Sequence, residues 1–158
     1  MSEVTAVCLS ATIQKTVTFN NLEFDKVNRS DHYLIHASGK AINTARVLNQ
    51  LESGFCEVIC PSGKENSNQF LELSQKESFP IKTVEIPGLT RECLTLLNRN
   101  GNTTTELVID EKPVKADMVQ YTSALLKKIS YSLDSTKSLI LAGSRPKIWP
   151  EELSAKIC

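Results

Sequence analysis

The sequence predicts an α/β fold: a mainly parallel sheet flanked by helices, with a small antiparallel lid. Three observations lead there. Short apolar runs alternate with longer amphipathic stretches, as in strands joined by crossover helices. Val4 to Leu9 and Leu139-Ile140-Leu141-Ala142 are short, mainly apolar runs, as strands covered on both faces are. Lys15 to Phe19 instead alternates, and two further runs flank Asn98-Arg99-Asn100-Gly101-Asn102, whose Asn-Gly step signals a hairpin.

Taken in order, Val4 to Leu9 reads as a buried strand and Lys15 to Phe19 as a half-exposed one, ended by Asn20 and Asn21. His32 to Ile35 is a further strand. Ser38 and Gly39 turn the chain into a helix from about Lys40 to Gln50, with Ile42, Ala45, Val47 and Leu48 on one side and Leu51 to Gly54 ending it. Phe55 to Cys60 is a strand, Pro61-Ser62-Gly63 a turn, Asn66 to Gln75 a helix, and Ile81 to Ile86 a strand stopped by Pro87-Gly88. Glu92 to Leu97 and Thr103 to Ile109 form the hairpin. Pro113 introduces a helix from about Lys115 to Ser130, Leu139 to Ala142 is a strand, and Pro150 opens a last helix reaching Cys158. The expected organisation is one domain over 1–158, with lid segments at about 14–36 and 89–110. Ligands of open α/β sheets bind beyond the carboxyl ends of the strands, where the loops after Leu9, Cys60 and Ala142 gather.

Composition narrows the function. The 158 residues are 41% hydrophobic and 23% charged, enough for one core. Eighteen Lys and Arg balance eighteen Asp and Glu, so no general field draws nucleic acid or an anionic membrane, and any anion site is local. Cys8, Cys56, Cys60, Cys93 and Cys158 lack the spacing of a zinc site, and the first four read as buried thiols of a reducing compartment. No stretch has the length of a membrane span or the form of a leader, and a cytoplasmic protein is expected. His32 and His36 alternate about a lid strand without ligand-spaced partners and read as exposed strand residues; Trp149 reads as a packing anchor beside Pro150.

The most informative stretch is Ala37-Ser38-Gly39-Lys40-Ala41-Ile42-Asn43-Thr44-Ala45-Arg46-Val47-Leu48. A tight loop feeding a helix offers free N–H groups and the positive end of the helix dipole to an anion, and Lys40 adds a charge. On the residues alone, Lys40 is either that anion's partner or a solvated charge at a helix start, and Arg91 either a ligand or a cross-strand partner.

These pieces stand in the order of the amino-terminal half of the PfkB (ribokinase-like) sugar kinases, in the branch of 1-phosphofructokinase and tagatose-6-phosphate kinase. The chain resembles that family nearly end to end. Ala37 through Leu48 is similar to its Ala-Gly-Gly-Lys-Gly-x-Asn-x-Ala-Arg-x-Leu signature, Val27-Asn28-Arg29 to its Val-Asn-Arg, and Thr90-Arg91-Glu92-Cys93 to its Thr-Arg-x-Cys lid strand. Thr105-Glu106 and Gly143-Ser144-Arg145-Pro146 resemble two further motifs. The resemblance implies phosphoryl transfer from ATP, with Mg, to a hexose phosphate. It assigns substrate binding to Gln14, Ser38, Gly39, Lys40, Asn43, Arg91, Glu106 and Ser144.

It also implies what is missing. The family's catalytic Asp and most of its nucleotide pocket lie beyond the last residue, so the carboxyl-terminal half is expected to be absent, no catalytic residue or metal ligand is expected here, and no cofactor for this chain alone. Gln14 stands where the family has Asp, Ser10-Ala11 where it has Asn-Pro, Ser38 and Ala41 where it has Gly, and Ser62-Gly63 where it has Gly-Gly. Two functions stay open: a sugar-phosphate-binding portion of a kinase, inactive alone, or a non-catalytic binding module that dimerises through its lid strands.

Overall fold

The computed structural model describes residues 2–109 and 116–158. Among the described residues, eight strands divide into two sheets. The first is entirely parallel, with strands β1 (Val4–Val7), β4 (Cys56–Gly63), β5 (Ile81–Ile86) and β8 (Ser138–Leu141) in the order β5-β4-β1-β8. Helices α1 (Lys40–Leu51) and α2 (Ser67–Ser74) cover one face, and α3 (Val119–Leu133) and α4 (Leu153–Ile157) cover the other.

The two-residue period of the strands builds both cores. Val4, Ala6 and Cys8 join Cys56, Val58 and Cys60 against Ala41, Ile42 and Ala45 of α1 and Phe70 and Leu73 of α2. Val7, Leu9, Ile59, Val84 and Ile86 point the other way, onto Leu125 and Ile129 of α3, Leu153 and Ile157 of α4, and Trp149. Each fully buried Val or Ile adds about 2 kcal/mol of transfer free energy. Asn49 interrupts the apolar stripe of α1 because its carboxamide binds the start of β4: Nδ2 donates to Cys56 O at 2.8 Å and Oδ1 accepts from Cys56 N at 3.2 Å. Val47, expected inside, is 55% exposed, since 100° per residue carries it off the stripe set by Ile42, Ala45 and Asn49.

The lid holds β2 (Thr12–Phe19), β3 (Tyr33–Ser38), β6 (Arg91–Asn98) and β7 (Thr103–Val108) in the order β3-β2-β6-β7. Its two outer pairs are antiparallel, as expected, but β2 and β6 run parallel, so the sheet is mixed. Both lid strands begin directly from the core, which gives them one direction. Pro61-Ser62-Gly63 is not a turn: β4 runs through it, fully buried. Its last pairing with β1 is Val7 with Ile59, so the missing N–H of Pro61 leaves no partner on that side unbonded. The expected helix start at Pro113 and Lys115 lies outside the described residues; α3 begins at Val119. The last helix opens three residues after Pro150, at Leu153. No helix among the described residues is long and apolar enough to cross a membrane.

Candidate functional site

Three glycines mark where the chain converges at the carboxyl ends of the parallel strands. Gly39, just before α1, has φ 138° and ψ 154°, and a Cβ there would lie 2.6 Å from Cys8 Sγ and 3.1 Å from Ser10 O. A Cβ on Gly63, at the end of β4, would meet Leu89 C and Thr90 N at 2.2 Å, so β4 abuts the entry to β6. A Cβ on Gly143, after β8, would sit 3.5 Å from Lys40 Cβ. The loops after β1 and β8 therefore meet at the first turn of α1, while the end of β4 meets the segment that leads into β6. Trp149 fastens the floor: it is buried, and its Nε1 donates to Leu9 O at 3.1 Å.

The lid rises from this point in rungs set by strand register. Ser38, Thr12 and Arg91 form the lowest; His36, Gln14, Cys93 and Val108 the next; Leu34, Thr16, Thr95 and Glu106 the third. Side chains of one rung share a face, so Gln14, Ser38, Arg91 and Glu106 all look the same way. Ser38 belongs to β3 and is buried, so Gly39 alone makes the turn. Arg91 donates from Nε and Nη2 to Thr12 Oγ1 at 3.3 and 3.0 Å. Gln14 Nε2 donates to Thr95 Oγ1 at 2.8 Å. Glu106 Oε1 accepts from Cys93 Sγ at 3.3 Å. Lys40, Asn43 and Ser144 are exposed, with Lys40 laid over Gly143 beside Ser144.

The charge balance at the site is one-sided. Among the described residues neither Lys40 nor Arg91 takes part in an ion pair, and α1 has no acidic residue in its first turn and no side-chain cap. The next cation along α1, Arg46, is neutralised by Glu77 at 2.8 Å. Cys8 lies under that first turn. Burial pushes its thiol pKa up, against the opposing pull of the Ser10, Ala41 and Ile42 N–H groups and Arg91. Burial, and then the Glu106 carboxylate, push the Cys93 thiol up as well. The arrangement suits holding an anion that carries further hydrogen-bonding groups.

Five neighbours of these residues went without a site role in the sequence. Thr12 holds Arg91; Ser10 is buried with an Oγ that finds no hydrogen-bond partner. Counting back by twos from Gln14 would have marked both as sharing its side of the chain. Arg46, three residues after Asn43 on α1, donates from Nη1 to Asn43 Oδ1 at 2.7 Å. Helical spacing gave that signal; its partner Glu77, 31 residues away, left none. His36, read as exposed, is half-buried with Nδ1 enclosed and unpartnered, and the charges of Arg46 and Glu77 act on it.

No family model matches the chain. A 1-phosphofructokinase of Vibrio cholerae is 25% identical over 150 residues, which are 92% of this chain and 44% of that protein. Among solved structures, a possible 1-phosphofructokinase of Thermotoga maritima superposes with a TM-score of 0.83 at 18% identity, over 98% of this chain and 50% of that one. Escherichia coli phosphofructokinase-2, solved with fructose-6-phosphate, gives 0.81 at 18% identity, over 99% and 50%. The homologues and structural neighbours are thus 1-phosphofructokinase and PfkB-type phosphofructokinases, the fold is ribokinase-like, and the chain spans about half their length.

Proposed function

We propose that this chain, a relative of the phosphofructokinases over about half their length, is the substrate-binding and lid portion of an ATP-dependent sugar-phosphate kinase of 1-phosphofructokinase or tagatose-6-phosphate kinase type. The observation that carries the reading is the pair of unneutralised cations, Lys40 and Arg91, set around Gly39 at the uncapped start of α1. In this reading Gly39, Lys40, Asn43 and Arg91 hold the phosphorylated hexose, Ser38 and Ser144 add hydroxyls at its border, and Gln14 and Glu106 meet it from the second and third rungs of the lid. Gln14 offers a neutral carboxamide, a weaker partner for a sugar hydroxyl than a carboxylate. The protein acts in the cytoplasm.

The resemblance also implies ATP and Mg. Among the described residues no three His, Cys, Asp or Glu side chains gather, and Glu106 is engaged by Cys93. The role proposed for this chain is binding and orienting the acceptor, with negligible ATP-dependent turnover by the chain alone. Isothermal titration with fructose 1-phosphate, fructose 6-phosphate and tagatose 6-phosphate tests it. At least one binds, and Lys40→Ala weakens that binding about tenfold, the equivalent of one charge-assisted hydrogen bond. Binding of none, or indifference to Lys40→Ala, removes the proposal.

A second reading rests on the other face of the lid. Tyr33, Val17 and Leu96 share one rung there and Ile35, Leu94 and Leu107 the next, with Lys15 between Ile35 and Leu94 paired to Glu92 at 3.1 Å, and with Tyr33 67% and Leu107 47% exposed. A second copy of the chain covers this apolar face, making the lid a dimerisation surface. Sedimentation at micromolar concentration reads it: a dimer that Leu96→Glu dissociates supports it, and a stable monomer contradicts it.

A further inference from the structure

Asn43 takes its orientation from Arg46, a neighbour whose own hydrogen bonds are to the protein. Arg46 lies one turn on, and all of its hydrogen bonds point inward. Nε and Nη2 grip Glu77 at 3.0 and 2.8 Å, Nη2 also donates to Ala37 O at 2.8 Å, and Nη1 donates to Asn43 Oδ1 at 2.7 Å. The pair is well shielded, with Arg46 27% and Glu77 12% exposed at their side chains. Such a forked guanidinium has little freedom left.

The chemistry fixes the carboxamide. A guanidinium only donates, so the Asn43 atom facing Nη1 must be the oxygen; turned over, two donors would oppose each other. Ser38 Oγ reaches the same oxygen at 3.3 Å and donates to it. Both acceptor positions of Asn43 Oδ1 are thereby used from within the protein. What remains at the exposed end is Nδ2 with its two hydrogens, beside Lys40.

We infer that Arg46, clamped by Glu77, is a positioning residue that makes Asn43 present donors only, so that the first turn of α1 meets acceptor oxygens of the sugar phosphate with a fixed pair of N–H groups. The inference rests on the sugar-phosphate reading above and extends it to Arg46 and Glu77, which touch no ligand. It also explains why Arg46 holds Ala37 O: the same side chain fixes the end of β3 and the helix residue that face each other across Gly39.

The test is a double-mutant cycle in fructose 6-phosphate affinity, measured by isothermal titration on the wild-type chain, Arg46→Gln, Asn43→Ala and the double variant. Arg46→Gln weakens binding about tenfold while Asn43 is present, and less than about twofold once Asn43 is Ala, because the residue it acts through is gone. A merely structural Arg46 would give the same loss in both backgrounds, and that result, or no loss with Asn43 present, overturns the inference. Should Arg46→Gln not fold, Glu77→Gln leaves Arg46 in place with a weaker clamp, and the same non-additivity is expected at smaller size. If the wild type binds no sugar phosphate, the proposed function fails before any variant is made, and this inference with it.

Discussion

Replacing Gly39 by Ala tests the geometry on which the whole site depends. Gly39 has φ 138° and ψ 154°, a region that side chains with a Cβ rarely adopt, which costs about 1–3 kcal/mol. The new methyl would also fall 2.6 Å from Cys8 Sγ, and relieving such an overlap in a packed core costs about 1–3 kcal/mol more. Together these come to about 4 kcal/mol, or about 8–16 °C of Tm at 2–4 °C per kcal/mol for a chain of this size. The single tryptophan, buried Trp149, reports unfolding by fluorescence from directly beneath the site. Truncating the neighbour separates the two contributions. In a Cys8→Ala background the contact with Sγ is gone, and Gly39→Ala then costs about 2 kcal/mol, from the backbone strain and the remaining 3.1 Å approach to Ser10 O. A Tm within about 2 °C of wild type for Gly39→Ala would refute the account of the turn. An equal loss in both backgrounds would refute the contact with Cys8.

Three other outcomes follow from buried groups. A thiol reagent added to the native chain titrates Cys158 quickly and the other four only on unfolding, since Cys8, Cys56, Cys60 and Cys93 are buried, with burial pushing Cys56 up to about 11; two or more fast thiols would contradict the packing. Lys82→Met leaves the Glu57 carboxylate without Nζ, which lies 2.8 Å away, in a core position only 9% exposed. We expect a loss of about 2 kcal/mol by chemical denaturation that Glu57→Gln in the same chain largely restores; additive losses would mean that the pair is not coupled. Burial first, and then the Arg46 guanidinium, hold the His36 pKa below its ordinary 6.5, while Glu77 pulls the other way. The folded state thus disfavours the imidazolium, so the contribution of neutral His36 is full above pH 6.5 and is lost as pH falls through the lowered value. Stability measured between pH 7.5 and 5.5 falls less in His36→Leu than in wild type, and identical slopes would refute it.

Parts of this molecule governed by period and punctuation were legible in its sequence. The apolar runs at Val4 and Leu139 are β1 and β8 at the sheet centre and edge, and Asn100-Gly101 closes β6 onto β7. The loop at Gly39 stands where its residues pointed, with Lys40, Asn43, Arg91 and Ser144 drawn around it by the topology. What escaped notice depends on contacts that no local pattern encodes. Pro61 reads as a breaker, yet it is tolerated because β1 has ended beside it. The parallel seam between β2 and β6 joins segments about eighty residues apart, and nothing in either strand names its partner. Glu77 looks like an ordinary turn residue until Arg46 is seen to reach it.

A titration of the isotopically labelled chain with fructose 6-phosphate, followed by amide and side-chain NH₂ shifts, reads binding at the start of α1 residue by residue. Gly39, Lys40, Ala41, Gly143 and the Asn43 side-chain NH₂ are expected to move together and saturate at one affinity, while Lys82 and the far end of the sheet stay still. Absence of shifts, or shifts confined to residues away from the start of α1, would contradict the proposed binding.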